Sequence, residues 1–370
     1  MRKHPSFVVM AILASLVLIL AACQNGGESP TEAAETEPAE TEPAETAAPE
    51  ADFNACEVSD VGGIDDKGFN QNAFEGLELA EAELGVEIDF LESAGATDYD
   101  RNIQTWIDQG CDIIVTVGFL LGDATATAAE ANPDQLFTIV DFAYDPPFDN
   151  VQGLVFATDE ASMMAGYLAA GMSESGTVGT FGGINIPPVS IFMDGFAAGI
   201  NYFNDQRGAD VQLLGWDPAN PEGGTFVNNF ESLEDGRNTA EALMQEGADV
   251  IFPVAGPVGL GAMAAVQDRG ELFIGVDVDQ YISTDEEFAD IMLSSVLKRI
   301  DNAVFAAIED AMDGAFDGPI YEGTLENEGV GLAPYHDFEG EVPPELTDEI
   351  EALRQAIISG DVAVADWTAP

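Results

Sequence analysis

Beyond residue 3 the chain has only two lysines, Lys67 and Lys298. A compact ammonium can donate hydrogen bonds to hydroxyl groups or pair with a carboxylate. On a surface that has otherwise shed lysine, it can also be a chance survivor. Lys67 lies in the densest motif of the sequence, Asp60-Val61-Gly62-Gly63-Ile64-Asp65-Asp66-Lys67-Gly68-Phe69-Asn70-Gln71-Asn72-Ala73-Phe74-Glu75-Gly76-Leu77. Its glycines permit a tight turn, and Asp66 and Asn70 put acceptors and a donor at the start of a helix. Phe74 follows about one turn further in and, taken alone, reads as an ordinary core residue. This chemistry suits holding a small polar molecule. Bond-breaking constellations are missing from the sequence: it has no G-x-S-x-G elbow, no phosphate loop and no paired histidines for a metal. His336 is the only histidine after residue 4 and sits in a loop-like stretch. Gly256, Gly259 and Gly261 match a dinucleotide loop poorly and read as a tight turn into a helix. No carboxylate pair stands out as an acid and base. The expectation is a binding protein, not an enzyme, without metal or cofactor.

The elements that position these residues emerge from an internal repeat. Arg101-Asn102 through Gly110-Cys111-Asp112-Ile113-Ile114-Val115-Thr116-Val117-Gly118 is echoed by Arg237-Asn238 through Gly247-Ala248-Asp249-Val250-Ile251-Phe252-Pro253-Val254-Ala255-Gly256. Each copy reads as a helix ending at a glycine, then a buried strand ending at another. Leu136-Phe137-Thr138-Ile139-Val140-Asp141 is likewise echoed by Leu272-Phe273-Ile274-Gly275-Val276-Asp277, and Gly62-Gly63-Ile64 more loosely by Gly182-Gly183-Ile184. A β-α-β-α-β unit used twice predicts an α/β protein of two doubly wound parallel-sheet lobes, with ligand held beyond the carboxyl ends of the strands. Asp141 and Asp277 then occupy equivalent positions on opposite walls of one cleft. Lys298 follows the strand 291–296 near that cleft and reads as a ligand residue. A helix over 298–312, strands at 320–322 and 330–332 and a helix over 345–359 complete the chain. The expected lobes are 53–157 with 292–318, and 158–291 with 319–370. Cys56 and Cys111 open neighbouring strands in such a sheet, which brings them together away from the cleft and suggests a disulfide.

The amino-terminal segment reads as an export signal. Arg2, Lys3 and His4 precede an apolar run from Phe7 to Leu20, too short for a comfortable span. Leu20-Ala21-Ala22-Cys23 has the pattern at which bacterial lipoproteins are cut and acylated, so residues 1–22 are an expected signal peptide and Cys23 the expected lipid-bearing residue. Residues 23–52 form an expected tether rich in Glu, Pro, Thr and Ala, unable to bury apolar surface. The remainder is long enough for two domains. A formal net charge of −59, from 69 acidic and 10 basic residues, excludes general binding to nucleic acid or anionic membrane. It reads as a surface adapted to salt, with a polycationic partner as the alternative.

Asp66-Lys67-Gly68-Phe69-Asn70, Val254-Ala255-Gly256, Gly275-Val276-Asp277-Val278-Asp279-Gln280 and Ser295-Val296-Leu297-Lys298-Arg299-Ile300-Asp301 together resemble motifs of the basic membrane lipoprotein family. Members of this family are substrate-binding proteins of ABC importers. The resemblance spans residues 53–370 and implies a type I periplasmic-binding-protein fold with a hinge. It also implies a monomer, a nucleoside ligand (a purine nucleoside above all), a permease partner and an extracytoplasmic, lipid-anchored location. By motif position, Asp66 and Asn70 would address base or sugar, Phe74 would stack on the base, and Asp141 would bond it. Gly256, Asp277 and Lys298 would hold the ribose. Gly68 stands where the family usually has serine, and Phe74 where tryptophan or tyrosine is common. Trp216–Asn228 looks like an insertion, which leaves Phe192 or Phe230 as the opposite stacking ring. A sugar receptor of the same fold and a ligand sensor are the competing readings. For the charged surface, the thermal unfolding midpoint is expected to climb as salt is added; a flat midpoint would rule out salt adaptation.

Overall fold

Ile113-Ile114-Val115-Thr116-Val117 is wholly β-branched, and all five residues are buried, as in a central parallel strand covered on both faces. Alternation of such strands with helices builds the molecule. In the computed structural model, which describes residues 52–316 and 320–368, the chain opens with β1 (Asn54–Val58), α1 (Phe69–Leu84), β2 (Glu87–Leu91) and α2 (Ala96–Gln109). It continues with β3 (Ile113–Val117), α3 (Gly122–Ala131), β4 (Leu136–Val140) and β5 (Val151–Phe156). The second run is α4 (Thr158–Met172), β6 (Thr177–Gly182), α5 (Pro187–Arg207), β7 (Gln212–Leu214), α6 (Leu233–Gln245) and β8 (Val250–Val254). Next come α7 (Val258–Arg269), β9 (Leu272–Asp277), α8 (Gln280–Ser283) and β10 (Met292–Lys298). The last elements are α9 (Ile300–Met312), β11 (Ile320–Gly323), β12 (Val330–Leu332) and α10 (Pro344–Ser359). The expected signal peptide, Cys23 and tether up to residue 51 lie outside the described residues. No helix among the described residues is long and apolar enough to cross a membrane.

Two six-stranded sheets result, ordered β11-β5-β4-β3-β1-β2 and β12-β10-β9-β8-β6-β7. Apart from the antiparallel β10–β12 pair, all pairings are parallel. The orders superimpose when β1–β5 are matched with β6–β10, so the repeat in the sequence is a repeat in space. One strand of the second copy is altered at Pro253, in the middle of β8. Proline has no N–H for the ladder, and the pairing of β8 with β9 is confined to Val250 and Ile251.

The lobe boundaries differ from the expected ones at two places. Met292–Lys298 belongs to the second sheet, because it is the fifth strand of the second repeat and pairs along β9. Ile320–Gly323 belongs to the first sheet, where it pairs with β5. The chain therefore crosses after Phe156, after Lys298 and between β11 and β12. Only α9 and β11 return to the first lobe, α9 packing on α1.

A disulfide joins Cys56 on β1 to Cys111 just before β3, with Cα atoms 6.1 Å apart. The neighbouring positions of β1 and β3 allow it. It closes a loop across a sequence separation of 55 residues. Chain-entropy arguments put the loss on its removal at about 2–4 kcal/mol. Urea unfolding of the Cys56→Ser/Cys111→Ser variant is expected to show a drop of that size, and an unchanged midpoint would remove the bridge from the stability of this lobe.

Candidate ligand-binding cleft

The carboxyl ends of both sheets face one cleft lined from both lobes, the place where such sheets hold their ligands. The first lobe contributes Asp60, Asp66, Phe69, Asn70, Gly118, Phe119, Leu120 and Asp141. The second contributes Ile186, Val189, Phe192, Phe230, Gly256, Asp277 and Lys298. Of the expected site residues, Asp66, Asn70, Asp141, Phe192, Phe230, Gly256, Asp277 and Lys298 thus come together.

Phe74 does not join them. Its ring packs edge-on against Phe90, with centroids 5.1 Å apart, inside the first lobe. The reason is helical geometry: α1 begins at Phe69, and five residues turn the helix by about 140° beyond one full turn. The residue at the helix start faces the cleft, so Phe69 and not Phe74 lines it. Asp60 also lines the cleft, a position the sequence did not mark. Both stand in the quoted loop, and the signal for Phe69 was its position directly before Asn70 at the helix start.

The loop after β1 is organised by Asp66. Its Oδ1 accepts from the backbone N–H groups of Gly68 (3.0 Å) and Gln71 (3.1 Å). Its Oδ2 accepts from the Asn70 N–H (2.9 Å) and Asn70 Nδ2 (3.2 Å). All four acceptor positions of the carboxylate are engaged, so Asp66 caps α1 and gives that helix its fixed start. Asn70 Nδ2 also donates to Asp60 Oδ1 at 3.0 Å. Asp60 in turn lies against Gly118, whose φ of +112° and missing β-carbon make room; a β-carbon there would sit 2.6 Å from Asp60 Oδ2.

Asp141, directly after β4, and Asp277, the last residue of β9, share the same φ, +67°. Left-handed backbone is uncommon for residues with a side chain and least so for Asp and Asn. The repeat has kept one strained conformation at both walls. Their surroundings diverge. Asp141 Oδ2 accepts from Lys298 Nζ at 2.6 Å, whereas the Asp277 carboxylate has no side-chain hydrogen bond among the described residues. Lys298 itself is only 2 % exposed and stands over the rings of Phe69, Phe156 and Phe192 at 4.8, 5.4 and 5.7 Å. Rings around an ammonium stabilise its charge through their negative faces. The backbone at the crossing is tied to the first lobe: Asn72 Nδ2 donates to the Lys298 carbonyl at 2.7 Å. Lys67 takes part through its backbone, its carbonyl accepting from Ser283 Oγ of the second lobe at 2.9 Å.

One cation among so many acids leaves the carboxyls short of positive charge. Burial pushes Asp60 up to about 8, with Asp66, Asp141 and Glu231 adding to the rise and the Asn70 hydrogen bond opposing it. Burial also pushes Asp277 up to about 7, opposed by Lys298 and reinforced by Asp141 and Asp66. Burial raises Asp141 as well, against the pull of Lys298. At neutral pH Asp60 therefore keeps its proton, and a protonated carboxyl donates as well as accepts.

Residues 53–367 match the family model described as ABC transporter substrate-binding protein, PnrA-like. The chain belongs to this Bmp family. The ABC transporter nucleoside-binding protein BmpA of Lactococcus lactis is 29% identical, over 98% of this chain and 99% of its own length. A Pyrococcus abyssi protein named as a lipoprotein is 33% identical over 90% of this chain and 76% of its own. Among solved structures, an ABC transporter solute-binding protein from Aeropyrum pernix K1 has a TM-score of 0.75 at 27% identity. It covers 84% of this chain and 92% of that one. The fold is the type I fold of periplasmic substrate-binding proteins, and the Bmp protein described here is an ABC transporter substrate-binding protein.

The raised carboxyls have a stability consequence. An acid whose folded value lies above its unfolded one binds more protons when folded, so unfolding releases them. Stability then falls as pH rises from the unfolded value toward the folded one. For Asp60 that window runs from roughly pH 4 to about 8, with a slope of up to about 1.4 kcal/mol per pH unit. Urea midpoints of ligand-free protein are expected to decline across this window, and less steeply in Asp60→Asn. Parallel profiles for the two proteins would show that Asp60 is not the group responsible.

Proposed function

We propose that this Bmp protein captures a nucleoside, with a purine base, and delivers it to the permease of an ABC importer. One observation carries this reading: a single cleft lined from both lobes combines phenyl rings with a Lys298–Asp141 pair and the unpartnered carboxyl of Asp277. Aromatic faces suit a purine, and an ammonium beside carboxyls suits the vicinal hydroxyls of ribose. In this reading Phe69 covers one face of the base, and Phe192 or Phe230 approaches from the second lobe. Asp60 and Asp141 bond the base edge, and Asp277, Lys298 and the Gly256 turn hold the sugar. Asp66 and Asn70 act through the loop they hold together. The name of the Lactococcus lactis relative supports the ligand class. The protein works as a monomer on the extracytoplasmic face, anchored through Cys23, a placement supported by the lipoprotein naming of the Pyrococcus abyssi relative.

A thermal-shift screen of nucleosides, free bases, pentoses and hexoses tests the ligand, since specific binding stabilises the folded state by mass action. Nucleosides are expected to raise the midpoint; a shift with sugars alone would overturn the assignment. In calorimetry with inosine, Asp277→Ala and Lys298→Ala should each weaken binding by roughly 1–3 kcal/mol. Phe69→Ala should also weaken it, and Phe74→Ala should leave it unchanged. Equal losses in the two phenylalanine variants would return Phe74 to the site.

A further inference from the structure

Glu57 lies within β1 with no exposed surface, and neither of its carboxyl oxygens has a hydrogen-bond partner among the described residues. Its strand neighbours, Phe90 on β2 and Val115 on β3, offer only side chains without donors. Alternation along β1 puts Glu57 on the same face as Ala55, which packs in one core cluster with Ala73 and Leu77 of α1. Cys56 and Val58 face the opposite way, toward Trp106. Burial above all, and then the neighbouring acids Asp66 and Asp60, push Glu57 well above the usual carboxylate range. An ionised carboxylate without a donor or a cation in such a place costs far more than a neutral acid. Glu57 is therefore a carboxylic acid, with one O–H to donate.

A candidate acceptor stands at the start of α1, the helix that this face of β1 packs against. Asn70 is 1 % exposed, and its Nδ2 is spent on Asp60 and Asp66, which fixes which way the amide faces. Its Oδ1 is buried and has no donor. β1 thus carries a buried donor without an acceptor, and the start of the helix packed on that face carries a buried acceptor without a donor. We propose that Glu57 is a positioning residue: as a neutral acid it donates to Asn70 Oδ1, and so holds the Asn70 amide nitrogen against Asp60 and Asp66. The first-lobe wall of the cleft, from Asp60 to Asn70, then takes its shape from a proton stored beneath it on β1. Ligand binding depends on that proton although Glu57 never meets the ligand.

The test compares wild type with Glu57→Gln, whose amide can donate the same bond, and Glu57→Leu, which cannot. The infrared difference spectrum between wild type and Glu57→Gln at neutral pH should contain the C=O band of a protonated carboxyl, shifted in heavy water. Its absence overturns the proposal, and this measurement needs neither ligand nor the leucine variant. In calorimetry with inosine, Glu57→Gln should bind within about twofold of wild type and Glu57→Leu at least tenfold more weakly. Equal affinities for the glutamine and leucine variants overturn the proposal. The affinity arm rests on the nucleoside reading. If wild type itself does not bind inosine, that reading fails while the infrared result still decides the state of Glu57.

Discussion

Among the described residues Lys298 is the one buried cation, set in a cleft of carboxyls, and the two lobes meet around it. It ends β10 of the second sheet, yet its ammonium pairs with Asp141 at the end of β4 in the first. Its carbonyl is held by Asn72 of α1. A buried ion pair is weak evidence of stability in itself, because desolvation offsets much of the attraction, but removing one partner leaves an uncompensated charge. Lys298 and Asp141 therefore constrain each other strongly without adding much net stability. The constraint falls across the lobe interface, where opening the cleft must expose or rearrange the pair.

The same shortage of positive charge explains the protonation of the rest. With Lys298 engaged by Asp141, burial leaves Asp60 and Asp277 to keep protons near neutrality. A neutral carboxyl can donate to a ring nitrogen or accept from a hydroxyl, and an ionised one only accepts. The exterior follows different physics. Its large negative charge is solvated and screened by counterions, while the cleft acids are controlled by burial and by a handful of neighbours. The net charge of the chain therefore says little about the charge a ligand meets.

Much of this was legible in the sequence because repetition is visible at the level of residues. The echo of Ile113–Gly118 in Val250–Gly256 fixed two sheets of one strand order, and the matching Asp141 and Asp277 marked opposite walls. Lysine scarcity drew attention to Lys298. The failures were matters of phase and membership. Phe74 looked like the stacking ring because its distance from the turn was read without the helix start, and Asp66 sets that start by capping α1 at Phe69. The expected boundary puts β10 in the first lobe, whereas it is the fifth strand of the second repeat and pairs along β9. Asp60 was overlooked because one acid among 69 carries no compositional signal; only burial distinguishes it.

The left-handed backbone at Asp141 and Asp277 connects these points. A strand that ends in this conformation turns its last side chain away from the path of the sheet, at a cost of order 1–3 kcal/mol unless the surroundings enforce it. The chain bears that cost twice, at equivalent positions of a repeat whose other residues have largely diverged. In the first lobe the turned carboxylate meets Lys298, while in the second it is left without a side-chain partner. One geometry thus yields two chemically different groups, one anchored and one free. The difference traces to β10: its last residue can pair with only one of two symmetric aspartates, and pairing with the distant one ties the lobes together.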